Sequence, residues 1–306
     1  MQIYTKKIVV PNFFCYICKK KSEMSNWYEK YLSIYGKPLD EIPQEIIVGI
    51  RVRLAMLQSK EPLVSIVIIA YNEERRLLSC LWSLSDFCSK YPLEIIGVDN
   101  HSSDHTKDVY ESVGVPCFVE QRRSPGFARQ CGLKHARGKY YFCIDADTFY
   151  PPLYVDLMMG KLQRYSVSCV SSFWSFYPDK EHSAWGLYSY ELIRDVFLYV
   201  QHFKRPELCV REMVFAFKVD YARQVKIRTD IRRGEDGSLA LSLKQYGKIA
   251  FLYMRNARPV TGYGTIGRQS LWQSLIDHVK IQGKGIARIF YSTDHYEDSD
   301  DNLFNK

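Results

Sequence analysis

Two aspartates one residue apart, Asp145 and Asp147, close an apolar run in YYFCIDADTFYPP, residues 140–152. In an extended segment side chains alternate between faces, so the two carboxylates are expected to point the same way while Ala146 points back. Paired like charges repel unless something positive stands between them and their surroundings. A divalent cation or a basic side chain meets that need. A second acidic pair, Glu235-Asp236, lies in RRGEDGSLALSLKQYG. Taken alone it reads as an N-capping turn, its acids favoured by the positive end of the helix that follows. Two more polar turns, Asn72-Glu73 and Asp99-Asn100, each end a β-branched run. Asp104 is expected to cap a helix.

The elements that must position these groups alternate. LVSIVIIAY, from Leu63, is a continuous apolar run of the kind found in strands covered on both faces. NEERRLLSCLWSLSDFCSK is predicted to be a helix with Asn72 as N-cap and Glu73 and Glu74 in its first turn. LEIIGVD and VPCFVE are predicted strands. SPGFARQCGLKHARG is a predicted helix with Ser124 as N-cap and Pro125 at its first position. After the strand ending in Asp145, Pro151-Pro152 opens another helix, and SAWGLYSYELIRDVFLYV is a further one. REMVFAFKVDYARQV reads as a strand running into a helix, and a helix from about Asp236 to Tyr246 leads into a last strand. Strands alternating with helices at this spacing imply βαβ crossovers and a mainly parallel sheet, in which ligands bind beyond the carboxyl ends of the strands. Upstream, EIPQEIIVGIRVRLAMLQ has helical periodicity.

Composition bounds the class. With 306 residues, 46% apolar and 25% charged, the chain is globular in character and long enough for a full core. No apolar run approaches a bilayer span, so a soluble cytoplasmic protein is expected. Nine cysteines scattered through predicted elements do not resemble a disulfide framework. Cys15 and Cys18 form a lone CxxC without a second pair at zinc spacing. A net charge of +8 without a basic stripe or an RNA-binding aromatic motif argues against nucleic acid, and is compatible with peripheral contact at the inner face of a membrane.

VSIVIIAYNEE, EIIGVDNHSSDHT, SPGFARQCGLKHARGKYYFCIDAD and RRGEDGSLALSLKQYG, in this order and spacing, resemble the inverting, DxD-containing, bacterial-type GT-A glycosyltransferases of family 2. The resemblance covers about residues 63 to 250. It implies an α/β, Rossmann-like GT-A fold: a mixed, mainly parallel sheet flanked by helices, over residues 62–255. Residues 1–61 would be an N-terminal extension, and residues 256–306 a C-terminal helical segment, near Arg268 to Gln282, with an acidic tail.

Residue by residue, the resemblance places Asp145 and Asp147 on Mg2+ or Mn2+ at the donor diphosphate. Asp99 falls near the base and ribose, with Asn100 where the family often has a second Asp. Ala70, Tyr71, Asn72 and Glu73 line the nucleotide pocket, joined by Ala146 and Arg129. For Arg129 a structural ion pair is an equal reading. Asp236 matches the catalytic base, with Glu235 as its alternative. Trp174, Phe176, Tyr177 and Trp185 fall where acceptor pockets are built, although core packing explains them as well. RNARPVTGYG lacks a third metal-ligating His, and His278 lies in a predicted helix. The expected donor is a nucleotide sugar, a UDP-sugar first, and the expected acceptor a saccharide or lipid-linked saccharide. Two other readings stay open: a non-catalytic nucleotide-sugar-binding subunit, and sugar-phosphate nucleotidyl transfer. The latter is disfavoured because AYNEERR is not a glycine-rich phosphate loop.

Overall fold

The computed structural model describes residues 27–225, 227–231 and 234–262. Seven strands form one sheet: β1 (Val64–Ala70), β2 (Leu93–Asp99), β3 (Cys117–Val119), β4 (Tyr140–Asp145), β6 (Val167–Ser172), β8 (Phe215–Lys218) and β9 (Lys248–Leu252). Their order is β3-β2-β1-β4-β8-β6-β9. Only β8 runs against its neighbours, so the sheet is mixed and mainly parallel, as expected. A second sheet, β5 (Thr148–Phe149), β10 (Val260–Thr261) and β7 (Ser175–Phe176), in the order β5-β10-β7, stands beside the turn after β4.

Helices cover both faces because the central strands are apolar on both sides. In β1, Val64, Ile66 and Ile68 enter one core while Val67 enters the other. The first core is completed by α2 (Gln44–Leu57), α3 (Leu77–Ser85), α4 (Thr106–Ser112) and α6 (Tyr154–Leu162), the second by α5 (Pro125–His135), α7 (Ala184–His202), α8 (Val219–Gln224) and α9 (Glu235–Leu243). A single turn, α1 (Glu29–Leu32), precedes them. Helix α2 seats Ile47, Ile50 and Leu54 in the first core, so the leader upstream of β1 is packed into the same body as the sheet.

Helix α5 begins where Ser124 and Pro125 predict. At Gly126 the helix touches the backbone that follows α8: a Cβ there would lie 2.2 Å from the Arg228 carbonyl oxygen. Gly126→Ala is expected to lower stability by about 1–3 kcal/mol through overpacking, read as a lower denaturant midpoint at unchanged m value. The seven described cysteines are free thiols. The CxxC of Cys15 and Cys18, the helix expected near 268–282, and Arg232 and Arg233 lie outside the described residues.

Candidate active site

The register of the sheet brings three chain segments to one edge. Ala70 at the end of β1 pairs with Asp99 at the end of β2, and Ile69 pairs with Asp145 at the end of β4. The chain leaves β1 for β2 on one side and arrives at β4 on the other. The crevice beyond these carboxyl ends is therefore a topological switch point.

One wall is the loop after β1. Asn72 adopts φ 55°, the left-handed region that Asn tolerates. Its Oδ1 accepts the Ser103 N–H at 2.8 Å, and the Glu73 and Glu74 N–H groups donate to Thr106 Oγ1 and Asp104 Oδ2 at 2.7 and 3.2 Å. Asn72 is thus not a helix cap. The loop after β2 takes up the amides from 73 to 74, and α3 starts only at Leu77. The N-cap of α4 is His105 and not the expected Asp104, which stands one residue earlier and accepts the Thr106 N–H at 3.0 Å. Both carboxylate oxygens of buried Asp99 face the Ser102 N–H, and the Asn100 N–H is tied to the Ala70 carbonyl at 2.8 Å. The Asn100 Oδ1 is buried with no hydrogen-bond partner. Tyr71 is exposed, with the Arg123 guanidinium 4.6 Å over its ring.

Strand β4 ends at Asp145, and residues 146–147 form a turn into β5. The alternation expected of a strand therefore stops two residues short of Asp147, and the two carboxylates meet different surroundings. Asp147 fronts a cavity of about 550 Å³ lined also by Tyr35, Asn72, Arg76, Asp104 and Tyr177. Its Oδ1 accepts the Thr148 hydroxyl at 3.1 Å, and its Oδ2 stands 3.9 Å from Arg76. Arg76 is held more closely by Glu73, at 2.6 Å. Burial raises the Glu73 carboxyl pKa to about 7, Arg76 pulling against that shift and Asp147 adding to it. Asp145 looks inward: burial, then Glu212 and Asp147, push its pKa well above the carboxylate range against the pull of Arg129. Ala146 is buried between the two.

Behind Asp145 lies a closed ionic group. Arg129 on α5 is 1% exposed, forms an ion pair with Glu212, and stands 3.9 Å from Glu235. Glu212 and Glu235 share the same guanidinium, and burial beside Glu212 and Asp236 pushes Glu235 well up. The ion-pair reading of Arg129 finds its partner in Glu212. Asp236 follows Glu235 in the first turn of α9, whose N-cap, Gly234, has φ 86°, a conformation that favours glycine. The Asp236 Oδ1 accepts the Gly237 N–H at 2.7 Å.

The aromatic residues expected around an acceptor divide. Tyr177 lines the cavity. Trp174 and Phe176 are buried in the second core, Trp174 under the Arg194 guanidinium at 4.2 Å. Trp185 is 80% exposed on α7. Two contributors carried no motif in the sequence. Glu212 lies on a single 3-10 turn, Glu212–Val214. Tyr35 comes from the leader and packs edge-on against Tyr177 with ring centroids 5.8 Å apart.

The side chains at the cavity suit a hard divalent cation. Asp147 offers an oxygen ligand whose nearest cation is beyond hydrogen-bonding distance. No three His, Cys, Asp or Glu among the described residues converge as a complete metal cage. The protein would thus supply one or two oxygens and leave the rest of the shell to water and phosphate, as Mg2+ and Mn2+ sites on phosphates do.

The profile of glycosyl transferase family 2 matches residues 65–227, more than half of the chain. A poly(ribitol-phosphate) beta-glucosyltransferase of Bacillus spizizenii is 35% identical over 94 residues, 28% of this chain and 15% of the relative. A dolichyl-phosphate beta-glucosyltransferase of Dictyostelium discoideum is 26% identical over 184 residues, 51% of this chain and 54% of the relative. The matches thus span about half or less of these relatives' lengths. In three dimensions the chain superposes on a mannosyltransferase from Pyrobaculum calidifontis, in complex with GDP-Man and Mn2+, with a TM-score of 0.55 at 17% identity, covering 92% of this chain and 75% of the other. That likeness gives the fold, GT-A, and the profile gives the family. The chain belongs to glycosyl transferase family 2.

Proposed function

We propose that this protein moves a sugar from a nucleotide-sugar donor to an acceptor hydroxyl by a single inverting displacement, with Mg2+ or Mn2+ at the donor diphosphate. The observation that carries the reading is the shared edge of β1, β2 and β4, where Asp99, Asp145 and the cavity carrying Asp147 come together. The GDP-Man and Mn2+ of the Pyrobaculum mannosyltransferase accord with it.

In this reading the nucleoside lies along the loops after β1 and β2. Ala70, Tyr71, Asn72 and Glu73 form one side, and Asp99 accepts from the ribose or base. The unpartnered Asn100 Oδ1 is suited to a donor group on the base. Asp147 holds the metal on the cavity side, and Asp145, behind it, completes the carboxylate pair. A bound Mg2+ or Mn2+ supplies Lewis-acid neutralisation of the negative charge that grows on the leaving diphosphate. Asp236 takes the acceptor hydroxyl proton as the acceptor oxygen bonds to the anomeric carbon, and the bond to the diphosphate breaks with its electron pair. Glu235 is the poorer candidate base because it is committed to Glu212 and Arg129. A UDP-sugar is the first donor to test, and a saccharide or lipid-linked saccharide the acceptor class.

The test is donor turnover by purified protein across UDP-, GDP- and dTDP-sugars with Mn2+. It is paired with Mn2+ titration of wild type and Asp147→Ala in the presence of UDP. Asp147→Ala is expected to weaken the apparent Mn2+ affinity by about tenfold or more, since a metal bound through few protein oxygens has little to replace the one removed. Equal Mn2+ affinity in both proteins would remove Asp147 from the metal. Binding of a nucleotide sugar without turnover, with or without acceptor, would favour a non-catalytic subunit.

A further inference from the structure

Beside its core residues Leu187, Tyr190 and Leu198, helix α7 also turns charged and amide side chains inward: Glu191 is 5% exposed, Arg194 6% and Gln201 3%. Most of their polar atoms find partners in the fold. Glu191 accepts the Phe176 N–H at 2.7 Å and the Ser175 hydroxyl at 2.9 Å. Arg194 donates to the Trp174 carbonyl at 2.6 Å, and Asp195 pairs with Arg194 and Arg258 at 2.8 and 2.6 Å. Every exposed residue of the helix, by contrast, is apolar or aromatic: Ala184, Trp185, Tyr188, Leu192, Ile193, Val196, Tyr199 and Val200, with Phe203 continuing the stripe as C-cap. Their spacing is that of one helical face. The strip runs about 28 Å at 1.5 Å per residue. Trp185, Val196, Val200 and Phe203 are between 58% and 80% exposed.

We propose that this face of α7 lies on the surface of a lipid bilayer, with the helix axis in the plane of the interface. A contiguous apolar strip of this length marks an interaction surface. Three observations select lipid over a protein. Interfaces between soluble proteins keep a polar rim of hydrogen-bonding groups, whereas the exposed residues of this strip are all apolar or aromatic, Trp185, Tyr188 and Tyr199 alone among them carrying a polar side-chain group. The residues are those of an interfacial helix, with Trp185 and Tyr188 near one end, Tyr199 and Phe203 near the other, and branched aliphatics between them. The exposed charges bordering the strip are mixed before the helix, at Asp179, Lys180 and Glu181, and basic elsewhere, at Lys204 after it and at Arg255, 5.1 Å from the Tyr188 ring. The basic groups suit anionic headgroups. The helix lies on the bilayer and does not cross it. Among the described residues no helix is long and apolar enough to span, and the charged inner face of α7 is engaged with the fold.

The experiment is flotation of the full chain with vesicles of phosphatidylcholine and phosphatidylglycerol in a 7:3 ratio (about that used to mimic an anionic leaflet). Light scattering of the lipid-free protein gives its mass. The proposal expects wild type to float, and Leu192→Glu/Val196→Glu/Val200→Glu to lose vesicle partitioning by about tenfold or more, because charge replaces buried hydrocarbon along the strip. Those positions are solvent-facing, so the circular dichroism melt should be unchanged. The milder Leu192→Ser/Val196→Ser is expected to lose partitioning in part and guards against misfolding of the first variant. Flotation unchanged in both variants would overturn the proposal by placing the lipid contact elsewhere. A wild type that does not float would overturn it too, and a dimeric mass would then make the strip a contact between two copies.

Discussion

Asp236→Asn is expected to reduce sugar transfer by about 10²–10⁴-fold while leaving the affinity for nucleotide and Mn2+ unchanged. The substitution is nearly isosteric, and the amide oxygen still accepts the Gly237 N–H that Asp236 Oδ1 now takes at 2.7 Å, so the turn at the start of α9 keeps its shape. What is lost is the ability to accept a proton from the acceptor hydroxyl as it attacks. Glu235→Gln is the matched control. Glu235 is buried beside Glu212 and lies 3.9 Å from Arg129, so its change should act on stability more than on turnover. Steady-state kinetics with a fixed donor, beside isothermal titration with UDP and Mn2+, separates the two. If Glu235→Gln costs the larger factor in turnover at unchanged nucleotide affinity, the base is Glu235. If both variants turn over normally, neither residue is the base.

The parts of this site that lie on strands were legible in the sequence, and the parts made by tertiary contact were not. VSIVIIA, LEIIGVD and YYFCID are short apolar runs ended by polar residues, and burial of a parallel sheet on both faces demands that pattern. Their carboxyl ends, with Asp99 and Asp145, therefore fell where the alternation of strands and helices placed them. Asn72 was misread as a cap because a helix N-cap and a left-handed Asn bonded to a neighbouring loop have the same local sequence. Only the position of Ser102 to Thr106 distinguishes them. Strand alternation was extended two residues too far, to Asp147, because nothing in DADTF marks where β4 yields to a turn. Glu212 and Tyr35 had no motif at all. Each reaches the site through packing, Glu212 from a single 3-10 turn and Tyr35 from the leader through Tyr177. The apolar outer face of α7 was hidden for a related reason: periodicity reveals that a helix is amphipathic but not which face turns inward.

Arg129→Met should cost about 3–5 kcal/mol of folding stability, the amount by which breaking one side of a buried ion pair exceeds most single substitutions. Methionine fills most of the space of the arginine stem but leaves Glu212, Glu235 and Asp145 without the one cation that acts on all three. The carboxyls must then be protonated or hydrated, and the chain would respond by loosening around the junction of α5, the Glu212 turn and α9. Arg129→Met/Glu212→Gln, which removes one of the charges left uncompensated, should recover part of the loss. The resulting coupling energy, read from urea denaturation of the four proteins of the cycle, would be about 0.5–3 kcal/mol. Additive losses would mean that Arg129 stabilises the fold through its packing and not through Glu212. Unchanged stability with a loss of nucleotide affinity would instead move Arg129 from the scaffold into the donor site, the other role that the sequence allowed it. The distinction bears on the proposed base, because a guanidinium paired with Glu212 and 3.9 Å from Glu235 would leave Asp236, one residue further along α9, as the carboxylate open to an acceptor.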